Sequence, residues 1–145
     1  MCDRCDYPAL LQDRELDCTS NRLKVFEIIG NSHCPLSAQK ILEQVNRSQD
    51  INRVTVYRIL DLLVEKKLVE RISAGDRSFR YGLAPNDNHR RHAHFYCMDC
   101  GKMECLSPES PGVNVERLEQ TFPGLIERVE VRLDGFCESC LEDQR

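Results

Sequence analysis

The chain has 145 residues, 41% hydrophobic and 30% charged, with nine cysteines and a formal net charge of -4. That length allows one ordinary domain or two small ones, and small domains bury so little surface that they often need a staple. The charge is uneven, with 13 Lys and Arg against 12 Asp and Glu in residues 1–85 and 7 against 12 in residues 86–145. A nonspecific polyanion binder is therefore unexpected, although the front half can still carry a local basic face.

The opening segment MCDRCDYPALLQDRELD scatters its charges and lacks the apolar run of a secretory signal. No apolar run approaches the roughly twenty residues of a membrane span. We expect a cytoplasmic protein with no membrane partner, in which thiols stay reduced and paired cysteines hold metal more often than they form disulfides. Cys2 and Cys5 make a C-x-x-C pair in a terminus expected to be disordered, without a structural role. Cys18 and Cys34 read as small buried hydrophobes near helix boundaries.

Along the chain, NRLKVFEIIG places Val25, Phe26 and Ile29 on one side of a helix, with Gly30 suited to its C-cap. PLSAQKILEQV follows, with Ser37 as N-cap and Ala38, Ile41, Leu42 and Val45 at the spacing of a buried stripe. NRVTVYRILDLLVEKKLVERI is the longest helical segment, with Val56, Ile59, Leu60, Leu63 and Val64 as its core face. Thr55 and Arg58 lie off that stripe and Tyr57 at its edge, all near the helix start, where Arg53 also sits. After Lys67 the period becomes two, and LVERI and SFRYGL form a hairpin around a polar turn containing Gly75.

Three helices followed by a hairpin is the order of a winged helix-turn-helix, whose third helix enters the DNA major groove by its N-terminal residues while the hairpin lies beside the backbone. A small helical domain that binds protein is the competing reading. The polar APNDNHRR, residues 84–91, is read as a linker. Beyond it the pattern gives a strand at HFYC, a partner strand near KMECL, a helix near VNVERLEQTF and a strand IERVEVRLD with Val129, Val131 and Leu133 alternating. The fold class expected is α+β: a winged-helix domain over 1–83, a linker over 84–91, and a small α/β dimerisation domain over 92–145.

Cys97 and Cys100, in CMDC, and Cys137 and Cys140, in CESC, are two C-x-x-C pairs. A structural zinc takes four tetrahedral ligands, and two such turns close its shell. Their separation exceeds the usual ribbon interval, so this zinc would clip the start of the second domain to its end and offset a weak core. Redox dithiols are the alternative, but the βαβ pattern expected beside a thioredoxin-type pair is missing. A closed four-thiolate site leaves no position for water, and no nucleophile stands with an oriented base. Neither an enzyme nor a small-molecule substrate is expected.

TVYRILDLLVEKKLV, then H-x-H-x-x-C-x-x-C-G-K, then a distant G-x-C-x-x-C, in that order over roughly residues 16–140, resembles the ferric uptake regulator family of metal-responsive repressors. The resemblance implies a homodimer that binds an A/T-rich pseudo-palindrome in double-stranded DNA. Tyr57 and Arg58 match the family's base- and backbone-contacting pair, and with Arg53 and Thr55 they are the candidate DNA-binding residues. Asp17 stands where relatives often have a lysine that reaches the minor groove.

The resemblance also implies a second, exchangeable metal site at the domain junction. His92 and His94 match its paired histidines. Pro35 stands in place of a helical histidine, with His33 close by, and Gly82 replaces a glutamate. The acid expected five residues after the second cysteine is Cys105. Thiolate with imidazoles suits Zn(II), whereas Fe(II) and Mn(II) sensors favour carboxylate and imidazole. The expectation is a zinc-responsive repressor resembling the Zur branch, with His92, His94 and Cys105 as ligands and His89 or His33 as the fourth. An iron- or peroxide-responsive regulator holding Fe2+ or Mn2+ is the alternative, and a zinc-stapled protein-interaction module a more distant one. A third family site is not expected, since Ala93 and Val129 occupy its Asp and His positions.

Overall fold

The computed structural model describes residues 5–86, 90–107 and 115–144. The chain divides into two units, Met1–Arg91 and His92–Arg145.

The first unit holds four helices, α1 (Tyr7–Asp13), α2 (Ser20–Asn31), α3 (Ala38–Val45) and α4 (Arg53–Glu65), and then the hairpin β1 (Val69–Ser73) and β2 (Phe79–Leu83). Each helix starts where a short polar side chain accepts from a backbone N–H three residues on. Asp6 serves Ala9, Thr19 serves Arg22, Ser37 serves Lys40 and Asn52 serves Thr55. These caps satisfy donors that have no partner inside the helix. The stripes expected from the sequence are the faces that pack: Val25, Phe26, Ile41, Val45, Val56, Leu60 and Leu63 are completely shielded.

Cys18 is exposed and Cys34 half-buried, so neither is the buried thiol expected from its place near a helix boundary, and three further features depart from the sequence reading. The N-terminal segment from Cys5 is ordered and carries α1, with Cys5 packed against the core and accepting from Asn86 Nδ2 at 3.8 Å. Cys2 lies outside the described residues. Pro8 hid this helix from sequence reasoning, although a proline in the first turn has no intrahelical N–H to lose.

Gly30 is not a C-cap; α2 runs on to Asn31 and ends at Ser32. A Cβ at Gly30 would overlap the ring of Tyr7, which stands edge-on to Phe26 at 5.1 Å and donates to Asn31 Oδ1 at 3.3 Å. The glycine is there so that α1 can dock on α2.

In the hairpin turn the left-handed residue is Arg77, φ 69°, and not Gly75. The hairpin also gains a third member, because Leu36 bridges Tyr81 through N–H to O bonds of 2.7 and 3.0 Å.

The second unit is a three-stranded sheet in the order β4-β3-β5, with β3 (His94–Cys97), β4 (Met103–Cys105) and β5 (Arg132–Gly135), and helices α5 (Val115–Thr121) and α6 (Glu138–Asp143). β3 pairs antiparallel with β4 and parallel with β5. The strand expected over IERVEVRLD is shorter than its alternation implied. Among the described residues only its end pairs, with Arg132 opposite His94 and Val131 O accepting from His94 N–H at 3.0 Å, because alternation shows which face is apolar but supplies no neighbouring strand. The described core here is thin: Ala93, Tyr96, Cys97, Met103 and Cys140 are its buried hydrophobic residues. No described helix is long and apolar enough to cross a membrane.

Candidate metal centre and nucleic-acid interface

Cys97 ends β3, and the chain turns there so that Gly101 N–H reaches Cys97 O at 2.9 Å. Gly101 takes the left-handed conformation, φ 77°, that the tight turn requires and that glycine adopts freely. Cys100 comes off this turn, Cys137 caps α6 and Cys140 sits in its first turn. The four Sγ atoms lie within 4.8 Å of one another, with Cys97 to Cys140 at 3.7 Å and Cys100 to Cys137 at 3.8 Å. Four thiolates about 2.3 Å from a tetrahedral zinc stand about 3.8 Å apart, so the donors fit that ion.

The backbone N–H groups of Cys100 and Cys137 hold the Cys97 thiol down to about pKa 6. The neighbouring Cys137 thiol, then burial, pushes Cys140 up. Four thiols this close cannot ionise independently, and a divalent cation relieves that conflict.

A second donor group lies at the other end of β3. His94 is opposite Cys105 in the β3–β4 ladder. Leu106 N–H bonds to Ala93 O and Cys97 N–H to Lys102 O, which makes 94 and 105 a non-hydrogen-bonded pair, the position where facing side chains come closest. His92 is two residues upstream, on the same face by the period of an extended chain. The His92 and His94 rings are 4.7 Å apart, and one ligand atom from each of His92, His94 and Cys105 falls within 4.8 Å of the others. His94 is 5% exposed and Cys105 is exposed. The group is therefore anchored in the sheet and open on one side. Its two imidazoles and one thiolate form a donor set suited to a borderline-soft divalent ion.

His33 is exposed beyond the end of α2, in the first unit. His89 lies outside the described residues. Val129 is half-buried and Ala93 buried, and neither carries a donor side chain.

On α4 the buried face leaves Val54, Arg58, Asp61 and Glu65 outward, with Arg53 and Tyr57 on one flank and half-buried Thr55 on the other. Arg53 lies over the Tyr57 ring at 5.3 Å and donates to its hydroxyl at 3.4 Å. This i, i+4 pair fixes both side chains before any partner arrives. The start of α4 thus presents two guanidiniums and an aromatic ring, and its second half presents acids. Sequence reasoning missed Val54, which is 58% exposed on the first turn. An apolar residue off the core stripe, two positions after the Asn52 cap, was its only signal. Asp17 is exposed in the segment before α2, where Arg22 donates to its main-chain carbonyl at 3.2 Å.

Comparison with known proteins agrees with both halves of this arrangement. The model of the ferric uptake regulator family matches residues 13–120. The ferric uptake regulation protein of Bacillus subtilis (strain 168) is 31% identical over 114 residues, covering 78% of this chain and 76% of that protein. The crystal structure of the Vibrio cholerae ferric uptake regulator superposes with a TM-score of 0.72 at 23% identity, over 91% of this chain and all of that one. A zinc uptake regulator complexed with zinc and DNA superposes with a TM-score of 0.63 at 22% identity, over 94% and 91%. With a helix of winged-helix type exposing arginines at its start in one unit and two metal-competent donor groups in the other, the chain belongs to the ferric uptake regulator family of metal-responsive transcriptional regulators, and is not an enzyme.

Proposed function

We propose that this protein is a zinc-sensing, DNA-binding transcriptional repressor of the cytoplasm, acting as a homodimer on an A/T-rich pseudo-palindromic operator. Its second domain, 92–145, dimerises; its first, 1–83, reads DNA across a linker at 84–91. The observation that carries the reading is the separation of the donors into two groups, Cys97, Cys100, Cys137 and Cys140 in one and His92, His94 and Cys105 in the other. The four-thiolate group holds a permanent structural zinc. The open group, completed by His89 or His33, exchanges its ion with the cell.

Thermodynamic linkage supplies the mechanism: an ion that binds the DNA-competent form more tightly raises DNA affinity, and DNA raises affinity for the ion by the same factor. Arg58, supported by Arg53, contacts base or phosphate, and Tyr57 packs against thymine methyls, with Thr55 beside them. An iron- or peroxide-responsive reading, with Fe2+ or Mn2+ in the open group, draws support for iron from the Bacillus subtilis relative, a ferric uptake regulation protein. Cys105 weighs against it, because a thiolate in place of a carboxylate favours zinc over Fe(II) and Mn(II).

Elemental analysis of the purified protein before and after mild chelation, paired with DNA footprinting on both samples, tests the proposal. Two zinc ions per chain, one removable, with protection lost on its removal, is the expected result. Protection indifferent to chelation, or iron as the exchangeable metal, would refute zinc sensing.

A further inference from the structure

Three described residues other than glycine have a positive φ, two at helix ends and one in the hairpin turn. Glu15 and Lys67 follow the C-caps of α1 and α4, where Leu16 N–H reaches back to Leu11 O and Leu68 N–H to Leu63 O, closing the helix ends. Arg77 is the third. It stands in the loop between β1 and β2, at a left-handed position that a glycine would fill without strain. The turn itself uses the left-handed residue, since Arg77 N–H bonds to Ala74 O at 3.1 Å and Ala74 N–H to Ser78 O at 2.9 Å, but it makes no demand on the side chain, which is left to project from the apex.

The loop is organised to present that side chain. Asp76 is folded inward, accepting from Ser78 N at 3.0 Å and Ser78 Oγ at 2.5 Å, with Arg80 at 3.8 Å. The one acid at the apex is thereby engaged by Ser78 and Arg80 and not by Arg77. Arg77 is exposed and makes no ion pair with any described residue. Below the apex, Arg71 of β1 ties the hairpin to α4 through Asp61 at 3.8 Å and lies over the Phe79 ring at 5.2 Å.

β1 meets α4 first at Leu63, through Leu68 N–H, and then at Asp61, through Arg71. It therefore runs back along the helix toward the end that carries Arg53 and Arg58. From Arg71 to the apex is about 10 Å of strand, and from Asp61 to Arg53 about 12 Å of helix.

We propose that Arg77 is a second DNA-reading element, inserting its guanidinium into the narrow minor groove of an A/T-rich stretch flanking the major-groove site of α4. A narrow A/T minor groove concentrates negative potential, and the weakly hydrated, planar guanidinium is the side chain it attracts most. The contact lies apart from the one that a lysine at position 17 would make, and here that position carries an acid, Asp17. The inference rests on the DNA-binding reading above.

The test uses full-length, zinc-loaded protein and a duplex enriched from a random-sequence pool on the wild-type protein. The flanks of this duplex are changed from A·T to I·C, which keeps the A·T minor-groove face, or to G·C, which does not. The expected result is that Arg77→Gly, which relieves the backbone, weakens binding about tenfold on A·T and I·C flanks and hardly at all on G·C flanks. Arg77→Lys should recover only part of the loss. An Arg77→Gly affinity equal to wild type on A·T flanks overturns the inference, as does an equal loss on all three flanks fully rescued by Lys, the signature of a plain phosphate contact. Arg58→Ala keeps the two readings apart. If it weakens metal-dependent binding while Arg77→Gly does nothing, only the wing contact falls; if no duplex is enriched, or Arg58→Ala binds normally, the DNA reading falls as well.

Discussion

Replacing Cys137 by Ser should unfold the second unit and leave the first intact. The two cysteine pairs are joined by a long loop, Cys100 to Cys137 being 37 positions apart. Closing a loop of that size removes about 4 kcal/mol of chain entropy from the unfolded state. A unit of about fifty residues has a net stability of only about 3–8 kcal/mol, and here its described buried core is five hydrophobic side chains, two of them cysteines of the clip itself. Losing the clip therefore costs about as much as the unit has.

Hydrogen exchange read by mass spectrometry separates the outcomes. In Cys137→Ser, amides of β3, β4 and β5 should exchange as fast as in an unfolded chain, while those of α2 and α4 keep their protection. Both metal-competent groups found among the described residues fall within residues 92–140, outside the N-terminal core. Undiminished protection of β3 in the variant would show that packing alone holds the sheet, and the four thiols would lose their assigned purpose.

Gly30→Ala should destabilise the first unit by about 1–3 kcal/mol, the usual range for forcing atoms into a filled core. Its thermal midpoint would fall while metal content stayed unchanged, and an unshifted midpoint would mean that Tyr7 yields without cost. Arg58→Ala should weaken DNA binding by about 1–3 kcal/mol and flatten its salt dependence by about one phosphate contact; a variant with the wild-type salt slope would place Arg58 off the DNA. The Ser78 hydroxyl and amide, and then Arg80, hold the Asp76 carboxyl below the ordinary aspartate range. Its contribution to the wing turn is thus complete above about pH 4 and fades only as pH falls through the lowered value. A Ser78 amide resonance that titrates at or above the ordinary aspartate value would contradict the clasp.

Much of this was legible in the sequence because it depends on period and spacing. The stripes of α2, α3 and α4 are local patterns, and apart from the half-buried Leu42 and Val64 the residues they name are buried. The C-x-x-C turns declare themselves by separation, and the H-x-H pair by alternation. Three-dimensional closeness was less accessible. Nothing in HAHFYCMDCGKMEC states that Cys105 is the cross-strand partner of His94, which follows from the register of a turn that the sequence does not print. Gly30 looked like a helix end because glycines often are, whereas here it is shaped by Tyr7, twenty-three positions away. Val129 and Val131 alternate as a strand would, but pairing needs a second strand, and β5 finds β3 only from Arg132 onward. Arg77 was invisible as a strained position, since a glycine two residues earlier drew the turn assignment to itself.

The His92, His94 and Cys105 group, and not the four-thiolate clip, should govern DNA binding. Fluorescence anisotropy of an enriched duplex across a series of zinc-buffered solutions measures this directly, with wild type and Cys105→Ser compared after the structural zinc of each has been verified. Wild-type affinity should rise with free zinc through a single transition, and Cys105→Ser, still folded and carrying one zinc per chain, should stay at the low-affinity plateau throughout. A Cys105→Ser curve that overlays the wild type, or a wild-type affinity that does not respond to free zinc, would contradict this.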